Sequence, residues 1–67
     1  MKLDKLNREI SNSGIKKKSI ALKLGITEIS LIRKLKGETE FKISETVKIG
    51  NILNLSNDQK CAIFFSE

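Results

Sequence analysis

The sequence predicts an all-α fold, a compact domain of five short helices. Three observations carry that reading. The 67-residue chain contains no proline. Its apolar residues recur at helical spacings, and the strict alternation of a half-buried strand is scarce. The apolar stretches are separated by glycine, asparagine and serine, which stop helices and start new ones.

Each helix has its own local reason. Leu3, Leu6 and Ile10 fall at i, i+3 and i+7, giving an amphipathic helix near 2–12 that Ser13-Gly14 ends, with Gly14 in a left-handed C-terminal conformation. A second helix, near 17–24, carries Ile20, Ala21 and Leu24 on one face and stops at Gly25. Thr27 caps a third helix, near 28–36, which Gly37 terminates. A polar stretch from Glu38 to Lys42 contains one inward-looking residue, Phe41. The fourth helix, near 43–53, is read with Val47, Gly50 and Leu53 on its buried face and Asn54 as C-cap. Ser56 and Gln59 have capping-box spacing, with Asp58 favourable at the positive helix end, and open a fifth helix near 57–65.

Size and composition bound the possibilities. Residues 1–67 make one domain, because domains run to roughly 100–150 residues. So short a chain buries only about 60% of the surface its unfolded form exposes, so its core needs reinforcement. The single cysteine, Cys61, excludes an internal disulfide and reads as a small structural residue; with no histidine, a structural zinc site lacks ligands. Efficient packing and self-association remain. The longest apolar run, Ala62 to Phe65, is too short for a bilayer, and no apolar stretch follows the N-terminus as a secretory signal would. A free thiol without an export signal points to the cytoplasm.

The net charge of +5 is concentrated in residues 16–42, which hold eight cations against three carboxylates. A cluster of one sign attracts polyanions. Within it lies the stretch 17–37, two short helices joined by Gly25-Ile26-Thr27. Ala21 is small where the helices approach. Gly25 supplies the positive φ of a sharp turn, and Ile26 plugs the corner. Ile20, Leu24, Leu31 and Leu35 supply core. This pattern resembles the helix-turn-helix of the lambda-repressor-like family (Cro/repressor, XRE-type). The likeness extends to the Leu35-Lys36-Gly37 ending, to Phe41 before the fourth helix and to Leu55-Ser56 before the fifth.

The resemblance implies double-stranded DNA binding, usually as a homodimer on a pseudo-palindromic operator. The second motif helix enters the major groove and the first lies across the backbone. Helical geometry can be tested against that independently. With Leu31 at zero and about 100° per residue, Leu35 lies about 40° away on the buried side. Ile29, Arg33 and Lys36 then lie at about 160°, 200° and 140°, and Ser30 at about 260°, all outward. The base-reading candidates are Glu28, Ile29, Ser30 and Arg33. Arg33 matches the guanine O6/N7 edge, and a phosphate contact is equally open to it; Ile29 suits a thymine methyl; Glu28 suits cytosine N4 or the helix dipole.

The backbone candidates are Lys16, Lys17, Lys18, Thr27, Lys34, Lys36 and Lys42, together with the N–H groups of Gly37 and Thr39. Lysines at the start of the second helix oppose its dipole, where the family often has a Ser or Thr cap and a Gln. A phosphate held there would compensate. The family commonly has basic or amide residues after Gly37; Glu38 and Glu40 stand there instead and weaken that contact. The family often dimerises through its last helix, and Phe64 and Phe65, about 100° apart, are the interface candidates: one completes the core and the other pairs with a second copy.

An enzyme is not indicated: there is no histidine and no glycine-rich phosphate loop. No cofactor, metal, small-molecule ligand or membrane partner is expected. The competing reading is a protein-interaction module on the same fold, an antitoxin, anti-repressor or regulator subunit that does not read DNA. With no sensing domain behind it, the chain is read as a Cro-type repressor of a phage or mobile element, or as part of a longer repressor.

Overall fold

The computed structural model describes residues 1–65. Five helices follow in order: α1 (Leu3–Ser13), α2 (Lys17–Leu24), α3 (Glu28–Leu35), α4 (Ile43–Ile52) and α5 (Asn57–Phe64). The all-α class and all five helices agree with the sequence reading, with ends differing by one residue at most.

The terminators act as the residues dictate. Gly25 takes φ +76°, and the next N–H, of Ile26, reaches back to the Ala21 carbonyl at 3.0 Å. A Cβ at Gly25 would meet no neighbour, so backbone conformation alone calls for glycine there. Asn54 performs the same turn after α4 at φ 54°, with the Leu55 N–H on the Gly50 carbonyl at 2.9 Å. Asparagine is the side chain that best tolerates this conformation after glycine. In both turns the following apolar residue, Ile26 or Leu55, folds back onto the core.

The core consists of Leu6 and Ile10 from α1, Ile20, Ala21 and Leu24 from α2, Leu31 and Leu35 from α3, Ile49 from α4, Leu55, and Ile63 from α5. Leu6, Ile20, Leu31 and Ile49 are completely enclosed; burying such a side chain contributes roughly 1.5–3 kcal/mol. α2 packs against both α3 and α4, and α1 against α3 and α5. Asn7 of α1 donates to the carbonyl of Leu35 at 3.2 Å, which fastens the end of α3. The Lys2 N–H donates to the Ile63 carbonyl at 2.7 Å, which fastens the start of the chain to α5.

One face departs from the sequence reading. α4 buries Glu45, Ile49 and Gly50, whereas Val47 is 56% exposed. Val47 lies two residues, about 200°, from Ile49, so the two cannot share a face. Leu53, just past the helix, is half-buried against the core, as the reading had it. Cys61 also differs: it is exposed on α5 and lies outside the buried core.

Candidate nucleic-acid interface

The candidate surface is built on α2, α3 and the connection to α4. α3 begins at Thr27, whose hydroxyl oxygen accepts from the Ser30 N–H at 3.1 Å and whose proton goes to Ser30 Oγ at 2.9 Å. Thr27 is therefore a cap, and its donor is engaged inside the turn rather than available to a phosphate. With Leu31 and Leu35 buried, the opposite side of α3 faces outward. Glu28, Arg33 and Lys36 are exposed, Ser30 is half-buried, and Ile29 is 65% exposed. Arg33 has no side-chain partner among the described residues.

The start of α2 has no cap. Lys16 is extended and accepts no side-chain bond, and no acidic residue stands in the first turn. The Lys16 carbonyl takes the N–H groups of Ser19 and Ile20, while those of Lys17 and Lys18 have no acceptor among the described residues. Lys16, Lys17 and Lys18 are all exposed. An open helix N-terminus with three ammonium groups around it has the chemistry to hold an anionic oxygen. It belongs to the helix packed against α3.

Beyond α3 the structure alters the list of backbone candidates. Lys34 turns inward. Its ammonium donates to Glu45 Oε1 at 3.0 Å and to the Glu40 carbonyl at 3.0 Å, and stands 5.8 Å from the centre of the Phe41 ring. Its side chain is only 11% exposed, so in the free protein Lys34 is held in a structural tie and does not stand among the outward cations. The Gly37 N–H is likewise taken, by the Lys34 carbonyl at 3.1 Å. Lys36 and Lys42 remain exposed, in a connection that also exposes Glu38 and Glu40.

Glu45 is the site residue that sequence reasoning missed. Burial by itself raises its carboxyl. The Lys42 N–H at 2.8 Å, the hydrogen bond from Lys34, and the charges of Lys34 and Lys42 outweigh that and hold it below the ordinary carboxylate value. A signal was present. Glu45 lies four residues before Ile49, on the stripe that enters the core, and a carboxylate on such a stripe demands a cation.

Phe64 is half-buried against the core and Phe65 is exposed, so the two phenylalanines divide as their angular separation requires. Phe65 is then the interface candidate of the pair, and Phe64 serves the protomer. Among the described residues no helix is long and apolar enough to cross a membrane, and no group of metal-binding side chains comes together. Comparison with protein-family models, with curated proteins and with solved structures returns no match to this chain.

Proposed function

We propose that this protein is a sequence-specific, double-stranded DNA-binding transcriptional regulator of the lambda-repressor-like kind. It occupies a pseudo-palindromic operator as a homodimer and represses by steric occupancy, as a phage or mobile-element Cro-type protein does. The observation that carries the reading is the outer face of α3. An isoleucine that is 65% exposed and an arginine whose side chain has no partner among the described residues stand together there, opposite an apolar buried face. Both match what a major groove offers, a thymine methyl and a guanine edge. The lysines at the open start of α2 supply the phosphate contact that orients the pair.

In this reading Glu28, Ile29, Ser30 and Arg33 face the base edges, and Lys16, Lys17, Lys18, Lys36 and Lys42 face phosphates. Phe65 of each copy contributes to pairing. About five neutralised phosphates give a slope near −5 for log K against log[salt].

Selection of bound duplexes from a random pool tests this directly. Enrichment of a two-fold sequence supports it. Arg33→Ala then relaxes preference at one position, at a cost of about 1–3 kcal/mol. Lys17→Ala weakens all sequences alike and makes the salt slope shallower by about one. A second reading, a protein-interaction module on the same fold, is favoured by the exposed Glu38 and Glu40 beside α3, which repel phosphate. Absence of enrichment at low salt selects that reading.

A further inference from the structure

We propose that Lys34 and Glu45 are positioning residues for the DNA-facing surface: their ion pair sets the α3–α4 connection, and with it Lys36 and Lys42, at a fixed distance from the outer face of α3. The inference rests on the DNA-binding reading above and deepens it.

The packing leaves a share of this task to the pair, beside Phe41 and the bonds from the Gly37 and Glu38 N–H groups to the end of α3. α3 is held mainly by α2 and α1, and α4 mainly by α2. Between them, residues 36–42 are exposed except for Phe41, which packs against the core. The Lys34 ammonium gathers three parts of this region at one point: the Glu40 carbonyl and the Phe41 ring from the connection, and the Glu45 carboxylate from α4. Glu45 in turn holds the Lys42 N–H through the same oxygen, Oε1. One side-chain pair thus joins the last turn of α3, the connection and the first turn of α4. Lys34 lies between Arg33 and Lys36 in sequence, so the tie is adjacent to the outward cations while itself facing inward.

A lysine ammonium suits the position because it has three donors on a flexible stem and satisfies acceptors that share no plane. The benefit to binding is preorganisation. A connection already held in place loses little freedom when Lys36 and Lys42 meet phosphates, whereas a loose one must be ordered at the moment of binding.

The sign of the Glu45 effect separates this role from plain electrostatics. Neutralising Glu45 raises the net positive charge, which by itself tightens binding to a polyanion. Loss of the tie weakens it.

The test compares the wild-type chain with Lys34→Met, Glu45→Gln and the double variant, each shown folded by circular dichroism at the assay temperature. Each is titrated with the pool-selected duplex and a scrambled duplex over a range of salt. Both single variants are expected to bind the selected duplex about tenfold more weakly. The double variant should be no weaker than the worse single variant. The salt slope should hold, and the scrambled duplex should be less affected. Should Lys34→Met not fold, Glu45→Gln alone carries the comparison, since its two possible effects have opposite sign. Amide exchange in the free protein adds a readout that needs no DNA: residues 36–42, including the Lys42 N–H, exchange faster in Lys34→Met. Unchanged exchange overturns the proposal alone. So does a slope shallower by about one in Lys34→Met together with unweakened Glu45→Gln, because Lys34 is then a direct phosphate ligand. A wild-type chain that selects no duplex overturns the DNA reading and this proposal together.

Discussion

α2 and α5 are both eight residues long, yet they begin in opposite ways. α5 starts with a complete reciprocal box: Ser56 Oγ accepts from the Gln59 N–H at 3.2 Å, and Gln59 Oε1 accepts from the Ser56 N–H at 2.9 Å, with Asp58 in the first turn. α2 starts with Lys16, Lys17 and Lys18, no cap and no acid. The same chain therefore contains the ordinary solution to a helix start and its reverse. The difference teaches where local stability has been given up, and it falls on the helix packed against the candidate reading helix. α4 stands between these extremes. Its Lys42 cap position has no side-chain acceptor, but Glu45 supplies the returning half by accepting from the Lys42 N–H.

Glu45 gives the largest expected effect, because its carboxylate serves a helix start and a partly buried ion pair at once. Glu45→Gln is expected to destabilise the protein by about 1–3 kcal/mol at neutral pH, measured by chemical denaturation. The pH dependence follows from the direction of the shift. A carboxyl whose folded pKa lies below its unfolded value adds stability that is present above the unfolded pKa, roughly 4.3, and is lost as pH falls through the folded value. The gap between wild type and Glu45→Gln should therefore be full at pH 7 and shrink at acid pH. A gap that stays constant down to pH 2 contradicts the ion-pair account.

What could be read in advance, and what could not, follows the same local and non-local division. Gly14, Gly25 and Gly37 as helix ends, Thr27 as a cap, and the Ser56–Gln59 pair were legible because each is decided within a few residues. So was the outward face of α3, since Leu31 and Leu35 define the opposite side. The buried face of α4 was not. Ile43, Val47, Ile49, Ile52 and Leu53 fit two overlapping stripes, and the stripe that wins passes through Glu45. Its burial is acceptable only because Lys34, eleven residues earlier, supplies the counter-charge. The inward turn of Lys34 has the same origin: periodicity places it at the edge of the outward face, and a partner on another helix decides its direction. The phenylalanine pair is a mixed case. Their angular separation was legible, but the packing of α5 decides that Phe64 goes in and Phe65 stays out.

The capped end of the comparison gives the next prediction. Ser56→Ala removes the oxygen that accepts from Gln59 and should destabilise the domain by about 1 kcal/mol. For a domain of this size that lowers Tm by about 4–8 °C. DNA affinity, measured on folded protein below the transition, should not change, because Ser56 lies outside the candidate surface and at the opposite end of α5 from Phe65. A loss of affinity with an unchanged salt slope would show that the start of α5, and not Phe65 alone, contributes to binding through pairing.

Lys16→Ser gives the smallest effect on stability and the sharpest break of the comparison, because it gives α2 the start that α5 already has. Lys16 is in the extended cap conformation, so a serine there is placed to accept from the free N–H of Lys18 or from that of Ser19. Stability should rise by about 0.5–1 kcal/mol, from the new cap and from one cation fewer at the positive helix end. Affinity for duplex DNA should move the other way: weaker for every sequence, with a salt slope shallower by about one. The serine occupies an N–H that a phosphate would use and removes an ammonium beside it. The two opposed changes in one variant separate the explanations for the lysine run. If stability rises and affinity is unaltered, the lysines are a solvated surface with no task. If neither changes, the start of α2 was never under local stress, and its contrast with α5 has no functional content.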